Sequence, residues 1–182
     1  MLCYGAKDLA RAYRTVRNNT VQTAQDIPES QYDFAAAPGT RTIRQLLTHI
    51  ALTDSFSSIH KEKRTSFEGF NFPEFVAKMT AEEQKPRSKA DIIAMLEQRG
   101  EETAAWIETL SDAFLAEPFN QPPGTTPATK TRFELIMGMK EHEMHHRGQL
   151  MLIQRLIGKV PHLTRERQER FAAAAAAAQR AT

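Results

Sequence analysis

Apolar residues recur at three- and four-residue steps through most of the chain, the period of amphipathic helices. Over residues 5–26 the stripe is Leu9, Ala12, Tyr13, Val16 and Thr20, with Arg11, Arg14 and Arg17 off it. Pro28 closes this first helix, and 28–39 reads as a loop. A second helix starts near Thr40–Thr42, where Thr42 and Gln45 have the spacing of a capping box. Its apolar positions are Ile43, Leu46, Leu47, Ile50, Ala51, Phe56 and Ile59, and the pattern fades over 61–64. Residues 65–87 break the rhythm and are too long for a tight helical hairpin. They read as a crossover with one short helix over 73–79, and Phe67, Phe70, Phe72 and Phe75 either cap the core or line a pocket. Ser88 and Asp91 open a third helix that carries Ile92, Leu96, Ala104, Ile107 and Leu110, with Gly100 as an interruption. After a proline-rich connection over 111–129, a fourth helix spans 130–157 and stops before Gly158 and Pro161. No strand is predicted and no repeat is seen.

Four amphipathic helices make an all-α protein, a four-helix bundle whose long link lets helices 2 and 3 run parallel. The division is a bundle domain over 1–160 and an Arg/Glu- and Ala-rich tail over 161–182, helical or disordered. The chain has 182 residues, enough for one domain with a real core. Composition narrows the function. The net charge of +2, without a basic run, gives no case for a nucleic-acid partner. No apolar stretch is long enough for a membrane span, and the N-terminus lacks a signal-peptide pattern. Cys3 is the only cysteine, so there is no disulfide framework and no cysteine-based zinc cluster. It is expected to be inert. A cytoplasmic location is the default expectation.

The candidate chemistry is in histidine. His142 and His146 are four apart, one turn of the fourth helix, on one face with Leu135, Gly138, Gln149 and Ile153. Gly138 stands one turn before His142, where a side chain is expected to crowd the space above it. His49 sits on the inward stripe Thr42, Leu46, His49, Thr53, Phe56. It lies roughly 12 Å from the start of its helix, and His146 roughly 16 Å from the end of its own, so antiparallel packing brings them to similar height. Three neutral imidazoles suit one divalent transition metal such as Zn, Ni, Fe or Mn, and leave a position open for water or substrate. His145 is rotated about 100° from His146 and is set aside. His60 and His162 lie near helix or loop ends and read as surface residues. The alternatives for the trio are a solvated pair on helix 4 and an unrelated core His49.

Residues 142–146 also spell H-E-x-x-H, the zinc-peptidase pattern in which the Glu is general base, with Glu166 as a downstream third ligand. That reading lacks an upstream strand to bind peptide and leaves His49 unexplained.

Two segments, Leu47-Thr48-His49-Ile50-Ala51 and His142-Glu143-Met144-His145-His146-Arg147-Gly148-Gln149, resemble those of the DinB/YfiT-like superfamily. The resemblance spans residues 5–160. It implies a bundle in up-down-down-up order, a single metal held by His49, His142 and His146, and a homodimer. It also implies a small-molecule substrate and one of two activities: a metal-dependent transferase using a low-molecular-weight thiol, or a metal-dependent hydrolase. Arg147 and Gln149 are then candidates for orienting ligands, thiol or substrate, with a structural salt bridge as the other role for Arg147. The rival is a non-catalytic, metal-binding stress-response dimer.

Overall fold

The computed structural model describes residues 4–180; Cys3 lies outside them. Four long helices form a bundle: α1 (Ala6–Asp26), α2 (Ile43–Leu52), α5 (Lys89–Glu108) and α7 (Arg132–Leu156). Between α2 and α5 run a 3-10 turn (Thr53–Phe56), α3 (Ser57–Lys61) and α4 (Phe72–Glu83). Between α5 and α7 come α6 (Asp112–Ala116) and strands β1 (Pro118–Asn120) and β2 (Thr129–Thr131), and α8 (His162–Arg180) closes the chain.

Side-chain pairings give the helix directions. Lys89 at the start of α5 donates to Gln25 O near the end of α1, while Arg14 pairs with Glu108 at the far end of α5. Those two helices are antiparallel. Arg44 donates to Arg87 O and Arg99 pairs with Asp54, so α2 and α5 run parallel. Tyr4 meets Phe133 and Arg17 meets Glu143, so α1 and α7 run parallel. The order is up-down-down-up, and the crossover that allows it is the segment carrying α3 and α4.

Local signals explain the helix starts. Thr42, Ser88 and Thr131 each cap a helix and are capped in return by Gln45, Asp91 and Glu134, which satisfies backbone donors the helix leaves free. The second helix is shorter than its apolar pattern predicts. At Thr53–Phe56 the chain tightens to 3-10, where Arg99 reaches across from α5 to the Asp54 carboxylate and the Ser55 hydroxyl. The crossover helix is longer than expected, reaching Glu83. The expectation of no strand fails at β1 and β2, which pair antiparallel over three residues each. A ladder this short has no periodicity to detect.

The core has two apolar clusters. One gathers Ile27, Tyr32, Ile43, Leu47, Ile50, Ile92, Leu96 and Leu150, and the other Leu9, Tyr13, Ala104, Ile107, Leu115 and Ile136. On α1, α5 and α7 the residues between these clusters form a polar layer. Arg17, 2% exposed, shares its Nε hydrogen between the two Glu143 carboxylate oxygens at 3.0 and 3.1 Å and gives a further hydrogen bond from Nη2 at 3.0 Å. It also donates to Leu96 O at 2.8 Å and to the Tyr13 hydroxyl at 3.0 Å. Gly100 makes room for it: a Cβ there would lie 2.5 Å from Arg17 Cγ. The expectation that Arg17 lies off the inward stripe is therefore wrong; its charge is inside because Glu143 is fully buried opposite it.

His60 and His162 are also corrections, being buried rather than on the surface. His162 reaches Asn19 Oδ1 at 3.3 Å. His60 packs against Trp106 and Phe119, with Nδ1 3.3 Å from Arg132 Nη1. Burial, and then the Arg132 charge, push His60 from its ordinary 6.5 down to about 4. The unfolded chain therefore takes up this proton first as pH falls, and stability present above pH 6.5 is lost progressively toward pH 4. We expect His60 to account for about 2 kcal/mol of the loss between pH 7 and 5. Urea unfolding at both pH values should show a smaller loss for His60→Gln than for the wild type; equal losses would refute this role.

Candidate metal centre

The capped start of α2 sets its rotation so that His49, two turns on, faces α7. There His142 and His146 stack one turn apart. The three Nε2 atoms converge: His142 Nε2 is 3.3 Å from that of His49 and 3.0 Å from that of His146. One ligand atom from each residue lies within 4.8 Å of the others, so the trio could hold a metal ion.

Each Nδ1 is engaged on the outer side of the cluster. His49 Nδ1 is 2.7 Å from Glu83 Oε1, an ionised carboxylate that can only accept. His146 Nδ1 is 2.8 Å from Gln149 Oε1, and the Gln149 amide nitrogen turns to His145 at 3.2 Å. His142 Nδ1 is 3.3 Å from Thr53 Oγ1, whose own hydroxyl donates to His49 O. All three Nδ1 atoms thus carry the proton, and three Nε2 lone pairs point inward. At 3.0–3.3 Å such lone pairs repel one another unless a cation shares them, so the donor set fits a metal.

The electrostatics agree. Burial, then the neighbouring His146 and His49, push His142 down to about 4. Burial lowers His146 as well, against the opposing hydrogen bond to Gln149. Both are neutral near pH 7, the state a ligand needs. Burial raises the Glu83 carboxyl, but hydrogen bonds from His49 and Arg41 outweigh it and hold the group below its ordinary value. Arg41 Nε meets Glu83 Oε2 at 2.6 Å.

Two clefts meet at the cluster. One, of ≈ 700 Å³, is bordered by Arg41, Gln45, Glu83, His146 and Gln149. The other, of ≈ 240 Å³, has His49, His142, Arg41 and Glu83 on one part and Phe56, Phe75, Val76 and Met79 on the rest. The crossover phenylalanines thus do both jobs expected of them, since Phe67 also packs edge-on to Phe119.

Not every sequence candidate arrives here. Gln149 does. Arg147 does not: it is rotated about 100° from His146 and donates to Val16 O on α1 at 3.3 Å. Burial lowers its guanidinium. Gly138 is not a relief from crowding, because a Cβ there would meet nothing within 4 Å. The H-E-x-x-H spelling loses its base, as Glu143 is sealed in the pair with Arg17, and Glu166 lies near His162 instead. Glu83 was missed. It ends α4 in a run of charged residues that reads as a solvated face, and no spacing marks it.

Comparison with known proteins follows the same line. A family model described as the DinB superfamily matches residues 12–150. YfiT from Bacillus subtilis superposes with a TM-score of 0.67 at 18% identity, covering 85% of this chain and 88% of its own. It is described as a probable metal-dependent hydrolase with an unusual four-helix bundle topology. The DinB-like protein YjoA from Bacillus subtilis superposes with a TM-score of 0.61 at 22% identity, covering 84% of this chain and 92% of its own. No curated protein matches the sequence.

Proposed function

The chain belongs to the DinB superfamily, and on that premise we propose that it is a metal-dependent enzyme with His49, His142 and His146 as ligands and a small molecule as substrate. The observation that carries this is the convergence of three Nε2 atoms whose Nδ1 atoms each face an oxygen, that of Glu83, Thr53 or Gln149. A divalent transition metal bound there supplies Lewis acidity, acidifying a thiol or water or polarising a carbonyl.

The chain's own groups do the rest. Glu83 holds the His49 ring and its tautomer, and Gln149 does so for His146. Arg41 borders both clefts and holds the Glu83 carboxylate that meets His49. The two clefts, one walled by both polar and apolar side chains and one largely apolar, suit two reactants meeting at the histidines. That favours transfer of a small thiol to an electrophile. The hydrolase alternative draws support from the description of YfiT. The division into a bundle over 1–160 and an appended tail belongs to the same proposal. So does a homodimer, for which exposed Leu152, Leu156 and Phe171 offer apolar surface. Among the described residues no helix is long and apolar enough to cross a membrane.

Metal analysis tests the ligand set. Wild-type protein should retain one zinc, nickel, iron or manganese ion through gel filtration, and His49→Ala, His142→Ala and His146→Ala should each lose it. Full retention in all three variants would sink the proposal. Metal-loaded protein offered small thiols with an electrophilic acceptor, and separately esters and amides, then divides transferase from hydrolase.

A further inference from the structure

Next to His142 lies a third cavity, of ≈ 180 Å³, that the roles assigned so far do not use. Thr53, Phe56 and His142 line both this cavity and the ≈ 240 Å³ cleft at His49, so the two are neighbours across the same side chains. Its other walls are apolar, among them Phe67, Leu135 and Met139. Gly138 contributes backbone where a Cβ would find open space. A dry cavity of about 150 Å³ is enough for benzene, so this one has room for a substituted ring.

Its remaining polar side chain is His60. Arg132 is 1% exposed, and its Nε is held by the Glu117 carboxylate at 2.8 Å. A guanidinium can only donate, so His60 Nδ1 accepts from Arg132 Nη1 and the proton sits on Nε2. The low pKa of His60 keeps it an uncharged donor at neutral pH. With Arg132 engaged by Glu117 and His60, the cavity offers no free charge to a charged ligand.

We propose that this cavity is a substrate subsite for a neutral aryl group bearing a hydrogen-bond acceptor, which the N–H of His60 meets. It rests on the metal-centre reading for its place in catalysis, because the reacting end of the same molecule then stands at the histidine cluster.

Two sets of probes test it. In metal-free protein, fluorine NMR follows para-fluoroanisole and para-fluorotoluene, which differ in the acceptor oxygen. Wild type should bind the anisole about five-fold more tightly, as one added hydrogen bond implies. Gly138→Leu should bind neither, and His60→Phe should lose the preference. In zinc-loaded protein, para-methoxybenzohydroxamate should bind about ten-fold more tightly than acetohydroxamate. Gly138→Leu should abolish that preference while still binding acetohydroxamate. Undiminished anisole binding in Gly138→Leu, or no anisole binding in the wild type, overturns the subsite. A hydroxamate preference that survives in Gly138→Leu does so too. If no hydroxamate binds but the anisole results hold, the metal reading fails and the ligand class of the cavity stands.

Discussion

Glu143→Leu should destabilise the protein by about 3–5 kcal/mol, because it leaves Arg17 charged and unpaired inside the bundle. For a chain of this size that is a fall in Tm of roughly 6–20 °C. The cost comes from the partner left behind. Arg17 keeps its bonds to Leu96 O and Tyr13, but the carboxylate that accepts from its Nε and Nη2 is gone, and its side chain is only 3% exposed. The double variant Arg17→Met/Glu143→Leu should recover most of the loss, since it removes the buried charge together with its partner. Thermal unfolding followed by circular dichroism compares them. A single variant as stable as the wild type would show that the pair is not the anchor of this layer. One that is no less stable than the double variant would show that the loss is packing alone.

The second large effect falls on metal affinity. Glu83→Ala removes the carboxylate that orients His49, and the expected loss is about 10–100-fold in affinity, the usual cost of deleting a ligand's hydrogen-bond partner. Glu83→Gln keeps an acceptor for the His49 Nδ1 proton and should lose less. Competition titration against a zinc chelator gives both numbers. If Glu83→Ala binds zinc as tightly as wild type, the His49–Glu83 contact has no part in the site. Failure of the wild type itself to bind would instead remove the metal reading.

Much of the architecture was legible because it rests on periodicity and caps. The apolar stripes of α1, α5 and α7, with the paired caps Thr42/Gln45 and Ser88/Asp91, place three helices closely and start a fourth. The four-residue spacing of His142 and His146 and the inward position of His49 single out the trio the structure brings together. Beyond the short strand pair, most of what escaped has one physical cause. A stripe argument assigns charge to the outside, and it fails where a distant partner pulls a charge in. Arg17 and Glu143 are 126 residues apart, His60 and Arg132 72, and His49 and Glu83 34. His49 apart, no member of these pairs looks buried by itself. On α7 this shifts the stripe by one residue: Ile136, Met139, Glu143, His146 and Leu150 form the buried line, and His142 flanks it. The break in α2 hid for a similar reason, since Arg99 acts on it from another helix and no proline or glycine marks it.

Glu83 is the one buried residue of α4, whose other side chains are at least partly in water. The crossover is thus fastened to the bundle at a carboxylate, with the Phe56–Phe75 contact beside it. That carboxylate belongs to the histidine cluster, and the helix it ends supplies part of the wall of both clefts. One side chain therefore serves both the support of a histidine and the shape of the space around it, so that a substitution at Glu83 would alter the two together.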